Sequence, residues 1–548
     1  MKNVKFLLVV LVSLVIMACG GRKKGDLNGK KVFRYNESAG ISFLDPAYST
    51  AFEDCWAMNQ LFNGLVQLDN ELRVIPCIAS SWEISDDKTE YTFHLRNDVF
   101  FHDHQQFEAG KGRKVVAQDF VNSFFRITDP ETASPGIYVF KNIDKSERSN
   151  NMGFVAVNDS TLKIYLTQPQ HSFLEQLTLP VCSVVPLEIV DYYGKDFTRN
   201  PVGTGPFQFK TWHDKVKLVM VKNENYFERD EQGNRLPYID AVSVSFIREK
   251  DVEYKQFLKG QFEFISGLHP SYQENLLTSN GELRESFKDK MYLQRHPWLK
   301  TDYIGILVDP NKKIVKESPL RNKLIRQAIN YAIDRKAMVN QLRNGIGMPA
   351  EFGFCPVGLN SFKYSRVDGF TYDMDKARAL LFEAEIDLKN APEVVLITTN
   401  EYKHIAEYIQ SQLTELGLKI KMEVVMKNVQ TQMIASSQTN LFRKSWTADY
   451  PDAINFLQLF YSGNKNPKGP NYTQFYNIYY DQYFEAALKE TDELKRFELY
   501  RQMEEILLEE APVIPLFYDE VIHFVQNNVE GLELNAMNML NLKRVRIK

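Results

Sequence analysis

Between Glu393 and Val425 the chain changes its hydrophobic period twice, and this constrains the fold more tightly than any other segment. Val394 to Thr398 is a continuous apolar run suited to a fully buried strand. His404 to Leu416 then places Ile405, Ile409, Leu413 and Leu416 on one helix face, and Gly417 stops that helix. Immediately afterwards Leu418, Ile420, Met422 and Val424 alternate with Lys419, Lys421 and Glu423 as a second strand. Strand, helix and strand in this order imply a right-handed parallel crossover. In open α/β sheets ligands bind beyond the carboxyl ends of the strands, so the loops after Thr398 and after the next strands are the first place to look for a site.

The first half has a different character. Lys88 to Arg96 alternates with Tyr91, Phe93 and Leu95 on one face. Thr161 to Leu166 does the same with Leu162, Ile164 and Leu166, and Lys215 to Val221 with Val216, Leu218 and Met220. All three read as half-buried strands. From Ser318 the pattern turns helical: Leu320, Leu324, Ile325, Ala328, Ile329, Ala332 and Ile333 follow three-four spacing, with Pro319 in the first turn. Phe497, Tyr500, Met503, Ile506 and Leu507 form a late amphipathic helix that Pro512 terminates. A chain of 548 residues exceeds what one core supports, so two or more lobes are expected. The formal net charge of -4 leaves no electrostatic footprint for nucleic acid.

Met1, Lys2 and Lys5 precede an apolar stretch, Phe6 to Met17, that is too short to span a bilayer and ends at Ala18-Cys19-Gly20. Residues 1–19 therefore read as a secretory signal. Ile16-Met17-Ala18-Cys19 resembles the bacterial lipobox, which makes Cys19 the expected lipidation site and places the protein in the cell envelope, lipid-anchored and extracytoplasmic or periplasmic. Residues 20–31 read as a flexible tether. Cys55, Cys77, Cys182 and Cys355 show no metal or redox spacing; disulfides and buried thiols both remain open for them.

Several motifs in order carry a family resemblance. They are Leu44-Asp45-Pro46, Leu61-Phe62-Asn63-Gly64-Leu65-Val66, Ile78-Ala79-Ser80-Ser81-Trp82, Tyr91-Thr92-Phe93-His94-Leu95-Arg96 with Phe101-His102-Asp103, and Asn200-Pro201-Val202-Gly203-Thr204-Gly205-Pro206-Phe207. The second half adds the run Arg326 to Arg335, Trp446-Thr447-Ala448-Asp449-Tyr450-Pro451-Asp452 and Ala511-Pro512-Val513-Ile514-Pro515-Leu516. The ordered set resembles the family 5 solute-binding proteins of ABC importers, which include oligopeptide- and dipeptide-binding proteins. The resemblance implies an α/β, two-lobed periplasmic-binding-protein-like fold (type II, large) with an extra subdomain in the first lobe. It implies residues 32–75, 199–296 and 516–548 for the first-lobe core, 76–198 for the extra subdomain and 297–515 for the second lobe. Gln105 to Lys114 departs from the family pattern as an insertion, expected as a longer loop on the extra subdomain.

A receptor for peptides of arbitrary sequence must grip what all peptides share, the backbone amides and charged termini. In peptide-binding members the Asp of the motif matched by Trp446 to Asp449 pairs with the ligand α-ammonium, so Asp449 inherits that role and Trp446 the groove wall. Arg443, three residues before Trp446, stands where oligopeptide-binding members carry an Arg for the ligand carboxylate. Tyr48, Ser49 and Thr50 follow Leu44-Asp45-Pro46 where the family's chain enters the groove, and read equally as a polar turn. Dipeptide-binding members carry a carboxylate-binding Arg after the strand matched by Val394 to Thr398; Thr399-Asn400-Glu401-Tyr402 holds none, which favours longer peptides or another ligand.

The implied partners are short peptides, permease and ATPase subunits and the membrane, with the protein itself a monomer, no enzyme, and without cofactor or metal. The same fold could instead take a nickel chelate, haem, an opine or an oligosaccharide. A lipid-anchored hydrolase is the other alternative, but the chain holds no G-x-S-x-G, H-E-x-x-H or C-x-x-C. His102-Asp103-His104 suggests a metal site less than ordinary hydrogen bonding, and Gly203-Thr204-Gly205 reads as a turn. Gly20 carries no Asp-type retention signal, so membrane fractionation of a two-membrane cell is expected to recover the protein with the outer membrane; recovery with the inner membrane would sink that expectation.

Overall fold

The computed structural model describes residues 29–49, 52–267 and 270–548. The signal, the lipobox Cys19, most of the tether and Thr50 lie outside the described residues. Among the described residues no helix is long and apolar enough to cross a membrane.

Two four-stranded sheets build the first body. One runs Val32–Asn36, Ala241–Ser245, Lys217–Lys222, Phe207–His213, with a parallel first pair (Phe33 opposite Val242) and antiparallel pairs after it. The other runs Ala79–Ile84, Glu90–Leu95, Thr161–Tyr165, Phe154–Asn158, antiparallel throughout. The expected alternation holds there: Tyr91, Phe93, Leu95, Leu162 and Ile164 are buried. Leu218 and Met220 are buried too, but Val216 is 65 % exposed, because the strand begins only at Lys217 and Val216 belongs to the turn before it. Both sheets share one core that includes Phe33, Tyr35, Phe93, Phe120 and Phe124. The insertion from Gln105 to Lys114 packs against the first body: Arg113 links Asp119 to Glu188.

A seven-stranded mixed sheet runs from the first body into the second. Its order is Phe264–Ser266, Val513–Gln526, Met291–Ile306, Leu441–Thr447, Val394–Thr398, Ile420–Val424, with Met348–Pro349 beside Val513–Gln526. The strand, helix and strand read from the sequence are present: Val394–Thr398 pairs in parallel with Ile420–Val424, and Lys403–Glu415 buries Ile405, Ile409 and Leu413 between them and their neighbours. The helix expected to run from Ser318 is instead two pieces. Ser318 caps a single turn, Pro319–Arg321, and Asn322 caps the helix Lys323–Ala332 through its side chain and the Leu324 N–H. Two successive capping side chains compete for the backbone, and each starts its own element.

Two strands join the bodies. Met291–Ile306 and Val513–Gln526 pair antiparallel along nearly their full length, from Met291 opposite Gln526 to Gly305 opposite Val513. One end of the ladder continues into Phe264–Ser266 of the first body and the other into Leu441–Thr447 of the second. After the ladder the chain returns to the first body, where Val525, Val529, Leu532 and Leu540 enter its core.

The glycine motif is more than a turn. A Cβ on Gly203 would lie 2.2 Å from Leu61 O, and one on Gly205 2.4 Å from Gln60 O, so only glycine lets these two family motifs meet backbone to backbone. His102 closes the junction: its Nε2 donates to Gly205 O (3.0 Å) and its Nδ1 accepts from Gly203 N–H (3.2 Å). Asp103 turns instead to Lys111, and His104 to Tyr193, so the three residues serve separate structural contacts.

Burial holds the His102 imidazole neutral, with its pKa lowered to about 4, and does the same for His523, also about 4. Both folded values lie below the unfolded value near 6.5, so the unfolded chain takes up protons first as pH falls. The two residues therefore support full stability above about pH 6.5, and acidification towards pH 4 should remove up to ~3 kcal/mol for each. Denaturant melts at stepped pH, with His102→Gln beside the native chain, check this; a flat stability profile across that window would contradict it.

Candidate functional site

Leu441–Thr447 is hydrogen-bonded to Met291–Ile306, and this sets the positions of the candidate ligand residues: Trp446 stands opposite Thr301, Arg443 opposite Ile304, and Asp449 lies two residues beyond the strand end. Ala448 makes the last bond to the neighbouring strand, its N–H donating to Leu299 O at 2.9 Å, before the chain turns away.

Asn455, fully buried, organises the turn that follows. Its Oδ1 accepts from the Trp446 indole (2.8 Å) and from the Asp449 backbone N–H (3.3 Å), and its Nδ2 donates to Asp449 Oδ2 (3.3 Å). One amide thus fixes both the aromatic wall and the acid. Asp449 is itself open to solvent, yet protein on several sides desolvates its carboxylate and raises its pKa, with the Asn455 bond opposing the shift. A partly desolvated carboxylate with a single weak side-chain donor is poised for a cationic partner.

The first body supplies the facing wall. The Asp449 charge acts on the Cys55 thiol, raised to about 12 chiefly by burial, and on the Tyr138 phenol, raised far higher by burial and then by Asp449. Ser49 is buried 3.9 Å from the Cys55 Sγ, and Tyr48 ends the turn Pro46–Tyr48, which Asp45 caps and Arg126 braces. Ser134 donates to Ala47 O, tying the segment that carries Tyr138 to the same turn. Ser49 therefore reaches the Asp449 neighbourhood through Cys55, and Tyr48 remains 37 % exposed on the turn beside it.

Arg443 is placed differently from an open carboxylate binder. It is buried, ion-paired with Asp302, and its guanidinium lies against the Tyr402 ring. Burial lowers its pKa to about 9, which the Asp519 charge partly offsets. It belongs to a network in which Lys300 bridges Asp302 (3.3 Å) and Asp519 (2.7 Å), and Arg343 also pairs with Asp519. Three cations share two carboxylates at the joining ladder.

Beside this network opens a cavity of about 650 Å³ between the bodies. Glu253 and Ser266 line it from the first body, Trp298 and Asp519 from the ladder, and Arg343 and Tyr402 from the second. The loop after Thr398, singled out from the strand order alone, contributes Asn400, Glu401 and Tyr402 to its wall. The sequence reading missed Asn455, Cys55 and Tyr138. Asn455 follows the motif in an irregular turn without periodicity, and Cys55 and Tyr138 reach Asp449 across hundreds of residues of chain.

Asn455→Ala should therefore loosen Trp446 and Asp449 together. Expected are a loss of ~1–3 kcal/mol of stability for the buried donors and acceptors left unpaired and a changed indole fluorescence; unchanged emission would show that Asn455 does not hold the ring.

The comparisons with known proteins agree with the fold. The sequence model described as "Bacterial extracellular solute-binding proteins, family 5 Middle" matches residues 73–468. The dipeptide-binding protein DppE of Bacillus subtilis is 25% identical over 574 residues, covering 99% of both chains. The dipeptide-binding protein of Escherichia coli is 27% identical over 508 residues, covering 89% of both. Among solved structures, the periplasmic binding protein DppA from Helicobacter pylori in complex with peptide STSA superposes with TM-score 0.76 at 24% identity, covering 94% of this chain and 98% of that one. HbpA2 from Haemophilus parasuis gives 0.78, also at 24%, covering 94% and 99%. These neighbours share the two-lobed periplasmic-binding-protein fold.

Proposed function

Since this chain belongs to family 5 of the bacterial extracellular solute-binding proteins, we propose that it captures short peptides between its two lobes and delivers them to an ABC permease. The observation that carries this reading is the Asp449 carboxylate, solvent-open but partly desolvated, fixed by Asn455 at the edge of the cleft and facing Tyr138 and Cys55. A peptide α-ammonium supplies the positive charge that such a carboxylate lacks. Trp446 lines the groove beside it, and Tyr48 and Ser49 lie at the first lobe's side of the groove.

In this reading residues 32–75, 199–296 and 516–548 form the first lobe, 76–198 its extra subdomain and 297–515 the second lobe, with the subdomain sharing the first lobe's core and Ala536 and Met537 joining the second lobe's. The ladder of Met291–Ile306 with Val513–Gln526 is the hinge. A ligand docks, the lobes close over it, and the closed form is what the permease recognises. The two relatives above are named for dipeptides, but the absence of an Arg in Thr399 to Tyr402 favours longer ligands. Arg443 would reach a ligand carboxylate only by sharing its charge with Asp302. Cys19 carries the lipid anchor. The protein performs no chemistry on its cargo.

Calorimetry of protein refolded to remove bound ligand, against a pool of tri- to pentapeptides, tests this reading. Saturable binding is expected, and Asp449→Ala should weaken it by ~3–5 kcal/mol, more than a hundredfold, as a buried charge pair loses one partner. Binding that survives the substitution would remove Asp449 from the site, and no binding by either protein would turn the search to the non-peptide ligands.

A further inference from the structure

Three residues past Asp449, on the same turn, Asp452 leaves the groove and reaches the other body. Its Oδ2 lies 3.2 Å from His171 Nε2, and its Oδ1 accepts from the Tyr500 hydroxyl at 2.7 Å and from the Ile454 N–H at 2.8 Å. Tyr500 and His171 also touch each other, at 3.1 Å, so the three side chains close a ring of contacts. Little of it meets water: the side chains of His171 and Asp452 are 7 % and 13 % exposed, and Tyr500 is fully buried.

The partners belong to different cores. His171 directly precedes the short helix Phe173–Gln176, whose Phe173 packs edge-on against Tyr91 in the first body. Tyr500 sits in the helix Glu493–Glu510, within the core that holds Phe456, Tyr480 and Leu507 of the second. Glu175 and Arg496 flank the ring from the same two elements, and the Glu175 carboxyl is raised by its own burial. Burial would also raise the Asp452 pKa, but the His171 ring, the Ile454 N–H and the Tyr500 hydroxyl outweigh it and hold the carboxylate down to about 2. Asp452, Ile454 and Tyr500 belong to the second body and His171 to the first, so parting the bodies costs the buried carboxylate its His171 contact and leaves it only the donors of its own body.

We propose that His171, Asp452 and Tyr500 form a latch between the bodies that sets how long the closed cleft retains its ligand. This rests on the closing cleft proposed above. The latch lies on the turn that carries Asp449 and is made without ligand, so movement of that turn carries both carboxylates together. His171 is thus a positioning residue that acts on the ligand through Asp452, and its loss should change release and leave encounter alone.

The test compares the native protein with His171→Ala, His171→Gln and Tyr500→Phe, using stopped-flow indole fluorescence with tetra-alanine as probe and small-angle X-ray scattering without ligand. His171→Ala should release the peptide roughly tenfold faster with an unchanged association rate. His171→Gln, which keeps a donor, should recover part of the difference, and the unliganded His171→Ala protein should show a larger radius of gyration than the native one. Tyr500→Phe keeps the buried ring and removes the hydroxyl that donates to Asp452, so it too should speed release, and thermal melts confirm that each variant is folded. If the native protein binds tetra-alanine and His171→Ala releases it at the native rate, the latch is refuted while the peptide reading stands. If the native protein binds no peptide, scattering decides alone: expansion of the His171→Ala protein supports the latch, and identical curves refute it.

Discussion

The antiparallel ladder between Met291–Ile306 and Val513–Gln526 is the constraint on which everything else depends. Each strand serves both bodies, so neither can drift along the other without breaking a row of backbone hydrogen bonds, whereas bending across the row costs little. The ladder is irregular in the middle. Between Pro297 opposite Glu520 and Thr301 opposite Tyr518, four steps along one strand match two along the other. Proline has no N–H to give a ladder, and extra residues on one strand bend and twist it. The weak point of the sheet thus falls at the boundary between the bodies, and the rigid stretch that carries Trp446 and Arg443 begins just beyond it.

Charge is treated in opposite ways at the two ends of Leu441–Thr447. At one end Arg443 is buried and answered inside the protein by Asp302, within a network whose partners come from three strands and one helix. Such a network holds register, and its one cation in excess is shared among three side chains already engaged. At the other end Asp449, open to solvent on one side, is partly desolvated without being given a cation among the described residues. Physical chemistry makes the second arrangement the costly one, and the binding of a positive group is what relieves it.

Much of this layout was legible before any coordinates. The parallel crossover came from two hydrophobic periods separated by Gly417, and its bounds agree within a residue or so because each period is set by burial on a defined face. The loop after Thr398 followed from strand order and does line the large cavity. The break at Asn322 was hidden because capping depends on which side chain wins the backbone, a local contest that apolar spacing does not report. Asp449 was visible only through its family motif. Asn455 and Tyr138 were not visible at all, since neither a turn residue nor a contact between distant segments leaves a period in the chain. The pairing of Arg443 with Asp302 was hidden for the same reason: it exists only once the strands are in register.

The cysteines have a consequence of their own. No disulfide joins described residues: Cys77 and Cys182 are thiols within the first core, Cys355 is a thiol within the second, and Cys55 sits on the cleft wall beside Ser49. The described body therefore reaches its final shape with no oxidant and no isomerase to sort its sulfurs. The core packing around Cys77, Cys182 and Cys355 is thus made by thiols as they stand, and the described body should keep its stability in a reducing buffer.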